Sequence, residues 1–163
     1  MSDTSRLLVL VRHGKAERGE EGGDHDRGLT ARGRTDAAAT GRRIAEVLAG
    51  RPVDLAWVSS AARAHQTWEQ LADSLPAVGR VVVERVVYEA GGRDVLDRVQ
   101  DDMAAGLAVM IVVGHNPTME QVALAVVGEL HSMRPGTAAV IELDAGDVVP
   151  PRGRLIELIS PRG

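Results

Sequence analysis

Six short apolar runs alternate with amphipathic stretches along the chain, and this alternation predicts the order of strands and helices. The runs span Leu7–Val11, Val53–Val58, Val81–Tyr88, Ala108–Val113, Ala138–Leu143 and Leu155–Ile159. Continuous apolar runs such as the first and fourth are typical of strands buried on both faces, as in parallel sheets. The last two runs flank a turn region rich in glycine and proline, and they predict an antiparallel edge.

Helices are predicted between these runs. They span residues 30–50, 61–75, 93–105 and 117–127. Thr30 offers an N-cap for the first helix, and Pro117 suits the first turn of the last one. The glycine-rich and acidic stretch from Lys15 to Gly28 predicts a surface loop. Together these elements predict an α/β three-layer sandwich, with a mostly parallel central sheet and helices on both faces, formed by residues 1–163 as one domain.

Polar residues follow the predicted strands at their carboxyl ends. Arg12 and His13 follow the first strand, Glu89 the third and His115 the fourth, and Arg63 lies just beyond the second. Ligands of open α/β sheets bind at this edge, so we expect these side chains to converge. Two arginines and two histidines without an obvious matching set of carboxylates form a cationic pocket suited to a phosphoryl group. A histidine with one unprotonated ring nitrogen can act there as nucleophile.

Four segments occur in a characteristic order along the chain. They are Val11-Arg12-His13-Gly14, Arg27-Gly28-Leu29-Thr30-Ala31-Arg32-Gly33, Ser59-Ser60-Ala61-Ala62-Arg63-Ala64-His65-Gln66-Thr67 and Gly114-His115-Asn116-Pro117. In residues and order they resemble the histidine phosphatase superfamily, which has the phosphoglycerate-mutase-like fold, and within it the small SixA-type phosphohistidine phosphatases. Several ordered motifs at predicted strand ends are a more specific signal than any one triplet.

The resemblance implies a role for each matching residue. His13 would be the nucleophile and would become transiently phosphorylated, while Arg12, Arg63 and His115 would bind phosphoryl oxygens. Arg27 matches an additional arginine that SixA-like sequences place before their Leu-Thr pair, and it is predicted to bind phosphate. The resemblance implies no metal and no organic cofactor, because arginines supply the charge that Mg²⁺ supplies in other phosphoryl-transfer enzymes.

The substrate stays open at this stage between a protein phosphohistidine and a small phosphomonoester. Glu89 is either a general acid or an ordinary solvated loop residue. As an acid it would protonate an alkoxide leaving group, which suits a mutase or a phosphatase of small metabolites or nucleotides. A third possibility is a phosphate-dependent binding module with little turnover, because the chain is short.

Neighbouring polar residues receive simpler interpretations. Lys15 and Glu17 are predicted on the rim of the loop, and Tyr88 in the core or the pocket wall. The cluster Asp24-His25-Asp26 is interpreted as exposed rather than as a metal site, because its flanks are rich in glycine and no second ligand cluster is evident.

Composition narrows the possible partners. The chain carries 23 acidic and 19 basic residues, for a net charge of -4, so no global positive field favours nucleic acid or an anionic membrane. It contains no cysteine and no uninterrupted apolar stretch of about 18 residues. We therefore expect a cytoplasmic protein. The resemblance implies that its partner is a phosphorylated protein or a small phosphorylated metabolite.

Overall fold

The computed structural model describes residues 4–18, 23–89, 91–146 and 149–162. Within these ranges the strands are β1 Leu7–Arg12, β2 Val53–Ser59, β3 Val78–Glu84, β4 Val109–Gly114, β5 Ala138–Leu143 and β6 Gly153–Ile159. The helices are α1 Ala31–Leu48, α2 Ala62–Ala72, α3 Arg85–Glu89, α4 Gly92–Ala104 and α5 Thr118–Val127. The predicted loop between β1 and α1 contains a single 3-10 turn, Asp24–Asp26, and its residues 19–22 lie outside the described ranges.

The six strands form one sheet in the order β3-β2-β4-β1-β5-β6. Strands β1, β2, β3 and β4 are parallel, whereas β5 runs antiparallel to both β1 and β6. The mostly parallel sheet and its antiparallel edge are therefore confirmed. Helices cover both faces, which confirms the three-layer α/β class.

Alternate residues of the central strands feed two separate apolar layers. In β1, Leu8 and Leu10 pack into the layer that includes residues of α4 and α5. Val9 and Val11 point to the opposite layer, which includes residues of α1 and α2. All four side chains are fully buried, and burial of each stabilises the fold by about 1.5–3 kcal/mol. None of the helices in the described ranges is long and apolar enough to cross a membrane.

The turn after β1 is pressed against the start of α1. The Thr30 side chain caps α1 by accepting a hydrogen bond from the amide of Gly33 at 2.9 Å, as the sequence predicted. A Cβ atom on Gly33 would lie 2.2 Å from the carbonyl oxygen of Lys15, and one on Gly14 would lie 2.8 Å from the carbonyl oxygen of Gly33. Only glycine permits this approach, which holds the residues after His13 close to the helix.

The predicted strand Val81–Tyr88 is wrong in its second half. Strand β3 starts earlier, at Val78, and ends at Glu84, opposite Ser59 at the end of β2. The valines beyond Glu84 favour a strand locally, but no part of β2 remains there to pair with them. The chain instead forms the short helix α3, in which Val87 is buried and Val86 is exposed.

Candidate active site

The carboxyl ends of β1, β4 and β2 lie side by side in the sheet. Arg12 is in register with Gly114, so His13 and His115 emerge from adjacent strands. Their ring centroids are 5.1 Å apart. Arg63, in the first turn of α2, reaches the same place and donates from Nε to Nε2 of His13 at 3.3 Å. The structure thus brings together His13, Arg63 and His115, as the sequence predicted.

The hydrogen bonds of His13 define its tautomer. Nδ1 lies 2.7 Å from the carbonyl oxygen of Gly14, which can only accept, so the proton belongs on Nδ1. Nε2 faces the Nε–H of Arg63, which can only donate. Both contacts therefore assign the lone pair to Nε2. The backbone of His13 is held as well, since its amide donates to the carbonyl oxygen of Gly114 at 3.0 Å.

Both pocket histidines are held neutral. Burial lowers the pKa of His13 to about 3; the Gly14 carbonyl opposes this shift, and the nearby His115, Arg63 and Arg12 add to it. Burial, followed by the charge of Arg63, lowers the pKa of His115 to about 4. Its Nε2 shares a hydrogen bond of 2.7 Å with the Ser59 hydroxyl. At neutral pH the pocket therefore presents two uncharged imidazoles beside arginine cations.

Arg63 is 6% exposed and is tied to Asp24 by two of its nitrogens. Nη1 donates to the backbone oxygen of Asp24 at 2.8 Å, and Nη2 donates to its Oδ2 at 3.0 Å. The same Oδ2 accepts from the Tyr88 hydroxyl at 2.7 Å. Hydrogen bonds from Tyr88, Arg27 and Arg63 hold the pKa of the Asp24 carboxyl well below its usual range. Asp24 is therefore an ionised carboxylate, with its side chain 51% exposed, at the edge of a pocket for which the sequence had suggested no matching acid.

Arg27 is linked to the pocket residues through the side chain of Asp24. Its Nη1 donates to Oδ1 of Asp24 and its Nε to the carbonyl oxygen of Glu17, each at 2.8 Å. No hydrogen bond joins Arg27 to His13 among the described residues. The neighbouring Gly28 is held in place, because its carbonyl oxygen accepts from the amide of Glu17 at 2.8 Å.

The Arg12 guanidinium reaches the segment that precedes β5. Its Nη1 donates to the carbonyl oxygen of Met133 at 2.9 Å. Burial lowers the pKa of Arg12, and the charge of Glu120 opposes that shift, yet a guanidinium stays charged at any physiological pH. Within the described ranges, Nε of Arg12 and Nδ1 of His115 are buried nitrogens without a hydrogen-bond partner. Such groups are uncommon in native proteins, and a catalytic role is one explanation for them.

Glu89 is not part of this contact network. It ends α3 with its side chain 60% exposed, and its Oε1 accepts from Nε of Arg85 at 2.7 Å. Its carboxylate makes no hydrogen bond or ion pair with His13, Arg63 or His115 in the described structure. Because β3 ends at Glu84, the helical turn separates Glu89 from the end of that strand.

Four residues of the site received no role from the sequence. Ser59 bonds His115, and the Thr67 hydroxyl accepts from the amide of Gly14 at 3.0 Å. Asp24 binds Arg63, and His25 shares a 2.8 Å hydrogen bond with Ser60 while its ring packs against Tyr88. These four are Asp24, His25, Ser59 and Thr67. Their one available signal was their position inside or just before the quoted motifs; Tyr88 does line the pocket wall, as predicted.

Comparisons with known proteins agree with this geometry. The family model described as the histidine phosphatase superfamily (branch 1) matches residues 8–92, just over half of the chain. The 2,3-bisphosphoglycerate-dependent phosphoglycerate mutases of Brucella ovis and Brucella canis are each 34% identical over 105 residues, which cover 62% of this chain and 50% of theirs. The chain thus spans about half the length of these curated relatives.

Three solved structures share the fold over nearly the whole chain. A protein assigned as phosphohistidine phosphatase SixA from Agrobacterium tumefaciens is 30% identical with a TM-score of 0.81, covering 96% of this chain and 98% of its own. A protein assigned likewise from Nakamurella multipartitia is 28% identical with a TM-score of 0.80 and covers 98% of both chains. The protein histidine phosphatase SixA in complex with tungstate is 24% identical with a TM-score of 0.80, covering 96% and 97%, and shows the fold alone. The chain belongs to the histidine phosphatase superfamily.

Proposed function

We propose that the chain is a phosphohistidine phosphatase, in which Nε2 of His13 accepts the phosphoryl group of a phosphorylated protein histidine and passes it to water. One observation carries the proposal: Nε2 bears a lone pair at neutral pH and lies 3.3 Å from a guanidinium nitrogen of Arg63. The nucleophilic nitrogen of His13 therefore lies in contact with a cation that can bind the transferred phosphoryl group.

In the first step, the lone pair of Nε2 forms a bond to phosphorus as the N–P bond of the substrate breaks. The electron pair of the broken bond returns to the substrate ring, which leaves as neutral imidazole when its other nitrogen carries a proton. The proton on Nδ1 of His13 stays there, and the Gly14 carbonyl at 2.7 Å stabilises the positive charge that develops on the phosphorylated ring.

In the second step, water attacks phosphorus opposite Nε2. The N–P bond to His13 breaks, its electron pair returns to Nε2, and one proton of the water passes to a phosphate oxygen. Inorganic phosphate leaves, and His13 regains the tautomer that it had at the start.

Arg12, Arg63 and His115 supply the contacts for the phosphoryl oxygens. Arg63 has five N–H donors, and the contacts with His13 and Asp24 occupy three of them, which leaves two for an oxygen-rich group. Nε of Arg12 and Nδ1 of His115 add two buried nitrogens without a partner in the described ranges. The guanidinium charges offset the charge of the in-line transfer.

The chemistry of the leaving group favours phosphohistidine over an alkyl phosphate as the substrate. An alkoxide needs a proton from an acid, but Asp24 is held as a carboxylate and Glu89 pairs with Arg85 outside the contact network. An imidazole leaves without that help, and transfer from one imidazole to another exchanges two bonds of the same kind. The names of the Agrobacterium and Nakamurella structures support the same substrate class.

The test uses a histidine-containing peptide phosphorylated with phosphoramidate. We expect the protein to release phosphate from it at the same rate with and without EDTA, and His13→Asn to release none. A rapid quench of the wild type should trap one acid-labile, base-stable phosphoryl group on the protein, and the group should be absent from His13→Asn. Turnover that survives His13→Asn and ends with EDTA would contradict the mechanism.

Two other outcomes would replace the proposed function. Hydrolysis of alkyl phosphates that exceeds hydrolysis of phosphohistidine would indicate a phosphatase or mutase of small metabolites. Tight binding of tungstate without turnover on any substrate would indicate a phosphate-dependent binding module. The cytoplasmic location stays a prediction.

A further inference from the structure

A second groove lies at the same edge of the sheet as the pocket, on the side of β5 and β6. Its volume is about 220 Å³, and its lining includes Lys15, Asp36, Arg134, Pro161 and Arg162. Because β5 runs antiparallel to β1, the residues before β5 and those after β6 reach the carboxyl end of β1. The groove and His13 therefore open from one edge of the molecule.

The segment that precedes β5 joins the groove to the pocket. The amide of Gly136 lies 3.0 Å from the carbonyl oxygens of both Arg12 and His13. One residue before Arg134, the carbonyl oxygen of Met133 accepts from the Arg12 guanidinium at 2.9 Å. The backbone that carries Arg134 is thus the rim of the pocket, and Lys15 follows His13 by two residues.

The groove is basic although the chain has a net charge of -4. Arg162 pairs with Asp36 at 3.1 Å, so these two charges offset each other. Lys15 and Arg134 are exposed, and neither forms a salt bridge with another residue of the described ranges. Lys15 and Arg134 therefore present two positive charges to a substrate that lies across this rim.

We propose that this groove binds acidic side chains near the phosphohistidine of a protein substrate. The inference rests on the proposed function, because a histidine enters the pocket only if its own backbone lies across the rim. An extended chain advances about 3.3 Å per residue, so side chains one to three residues from the phosphohistidine come over Lys15 and Arg134. Carboxylates there meet two cations that form no salt bridge within the described ranges, whereas lysines or arginines are repelled.

The charges of the groove are exposed, so their contribution is expected in substrate capture rather than in the chemical step. Contacts of this kind change the association rate and weaken with ionic strength. We expect roughly a threefold to tenfold preference in kcat/KM for an acidic substrate, carried by KM, as for two exposed ion pairs.

The experiment compares two phosphohistidine peptides of equal length, one with Asp and Glu around the histidine and one with Asn and Gln at the same positions. The wild type should prefer the acidic peptide, and 0.5 M salt should reduce the preference. Lys15→Gln combined with Arg134→Gln should abolish it, and Arg134→Glu should reverse it. Arg80→Gln, which removes an exposed arginine from the edge strand β3, is the matched control and should keep it.

Hydrolysis of p-nitrophenyl phosphate at saturating concentration reports the chemistry without the groove, and its kcat should be equal in all these variants. Equal rates on both peptides, or a preference that persists in the double variant, would refute the proposal that the groove binds acidic side chains. Either result would leave the proposed function intact. Hydrolysis of neither peptide by the wild type overturns both.

Discussion

Nε of Arg63 donates a hydrogen bond to Nε2 of His13 at 3.3 Å, so the cation contacts the atom that is phosphorylated in the proposed mechanism. Formation of the N–P bond must displace this contact. The same N–H then lies beside the transferred oxygens, which means that the guanidinium changes partner without a large movement.

Arg63→Lys is predicted to retain the positive charge and lose most of the activity. Lysine offers a point charge without the planar fork that binds His13 and Asp24 together. We expect kcat on the phosphohistidine peptide to fall about 100-fold, as for loss of a preorganised donor. Steady-state kinetics and tungstate binding measure the effect, with Arg85→Lys as an exposed control. A change below twofold would show that charge alone suffices.

Asp24 and Arg27 are predicted to act as one unit. Asp24→Ala frees Arg63 from its ionic partner and should lower kcat/KM about tenfold, the cost of a hydrogen bond to a charged group. Arg27→Gln should cost less, because Arg27 reaches the site only through the Asp24 carboxylate in the described structure.

A double-mutant cycle separates this arrangement from direct phosphate binding by Arg27. In the double variant, loss of Arg27 should add almost nothing to the loss of Asp24. Fully additive losses would instead place Arg27 on the phosphoryl group, as the family resemblance implies.

Glu89→Gln is predicted to change kcat/KM less than twofold on both phosphohistidine and p-nitrophenyl phosphate. The Glu89 carboxylate is 60% exposed and bonds Arg85, outside the pocket contacts. Glycerol phosphate, which has an alkoxide leaving group, completes the comparison. A large loss confined to that ester would identify Glu89 as an acid for poor leaving groups.

Because His13 and His115 are neutral in the folded protein, we predict that its free energy of unfolding falls at mildly acidic pH. Their pKa values are about 3 for His13 and about 4 for His115 in the folded state, against about 6.5 in the unfolded chain. Protons therefore favour the unfolded state as the pH drops below 6.5, and stability continues to fall until the pH reaches the folded values. At pH 5 the loss is about 2 kcal/mol per histidine.

Urea unfolding at pH 7 and pH 5 measures this loss. His13→Gln should lose about half as much as the wild type between the two values, because one of the two titrating rings is gone. In ring NMR spectra of the folded protein, the signals of His13 and His115 should not titrate above pH 5. A midpoint near 6.5 for either ring would refute the prediction.

Gly33→Ala is predicted to destabilise the fold and misplace the nucleophile. The added Cβ would lie 2.2 Å from the backbone oxygen of Lys15, so the turn after His13 or helix α1 must move. Overpacking of this kind costs about 1–3 kcal/mol in the free energy of unfolding. Gly91→Ala is the control, since nothing lies within 4 Å of its Cβ position and its φ is negative.

Sequence patterns predicted those parts of the molecule that depend on local or periodic information. The buried runs located Arg12 and His115 at strand ends, and the Thr30 hydroxyl marked the start of α1. The end of β3 was misplaced because it depends on the length of its partner strand. The predicted exposure of Asp24 is confirmed, with its side chain 51% exposed, but its role was missed because its contact with Arg63 joins residues 39 positions apart.

The Thr67 hydroxyl accepts a hydrogen bond from the amide of Gly14 and donates one to the carbonyl oxygen of Arg63 at 2.8 Å. The turn that carries the nucleophile and the helix that carries its cation are therefore fastened at one atom. A shift of α2 away from this turn would have to break one of the two hydrogen bonds of the Thr67 hydroxyl. The separation of His13 and Arg63 is therefore set from two directions, by the Thr67 hydroxyl on α2 and by the Gly114 carbonyl oxygen at the end of β4.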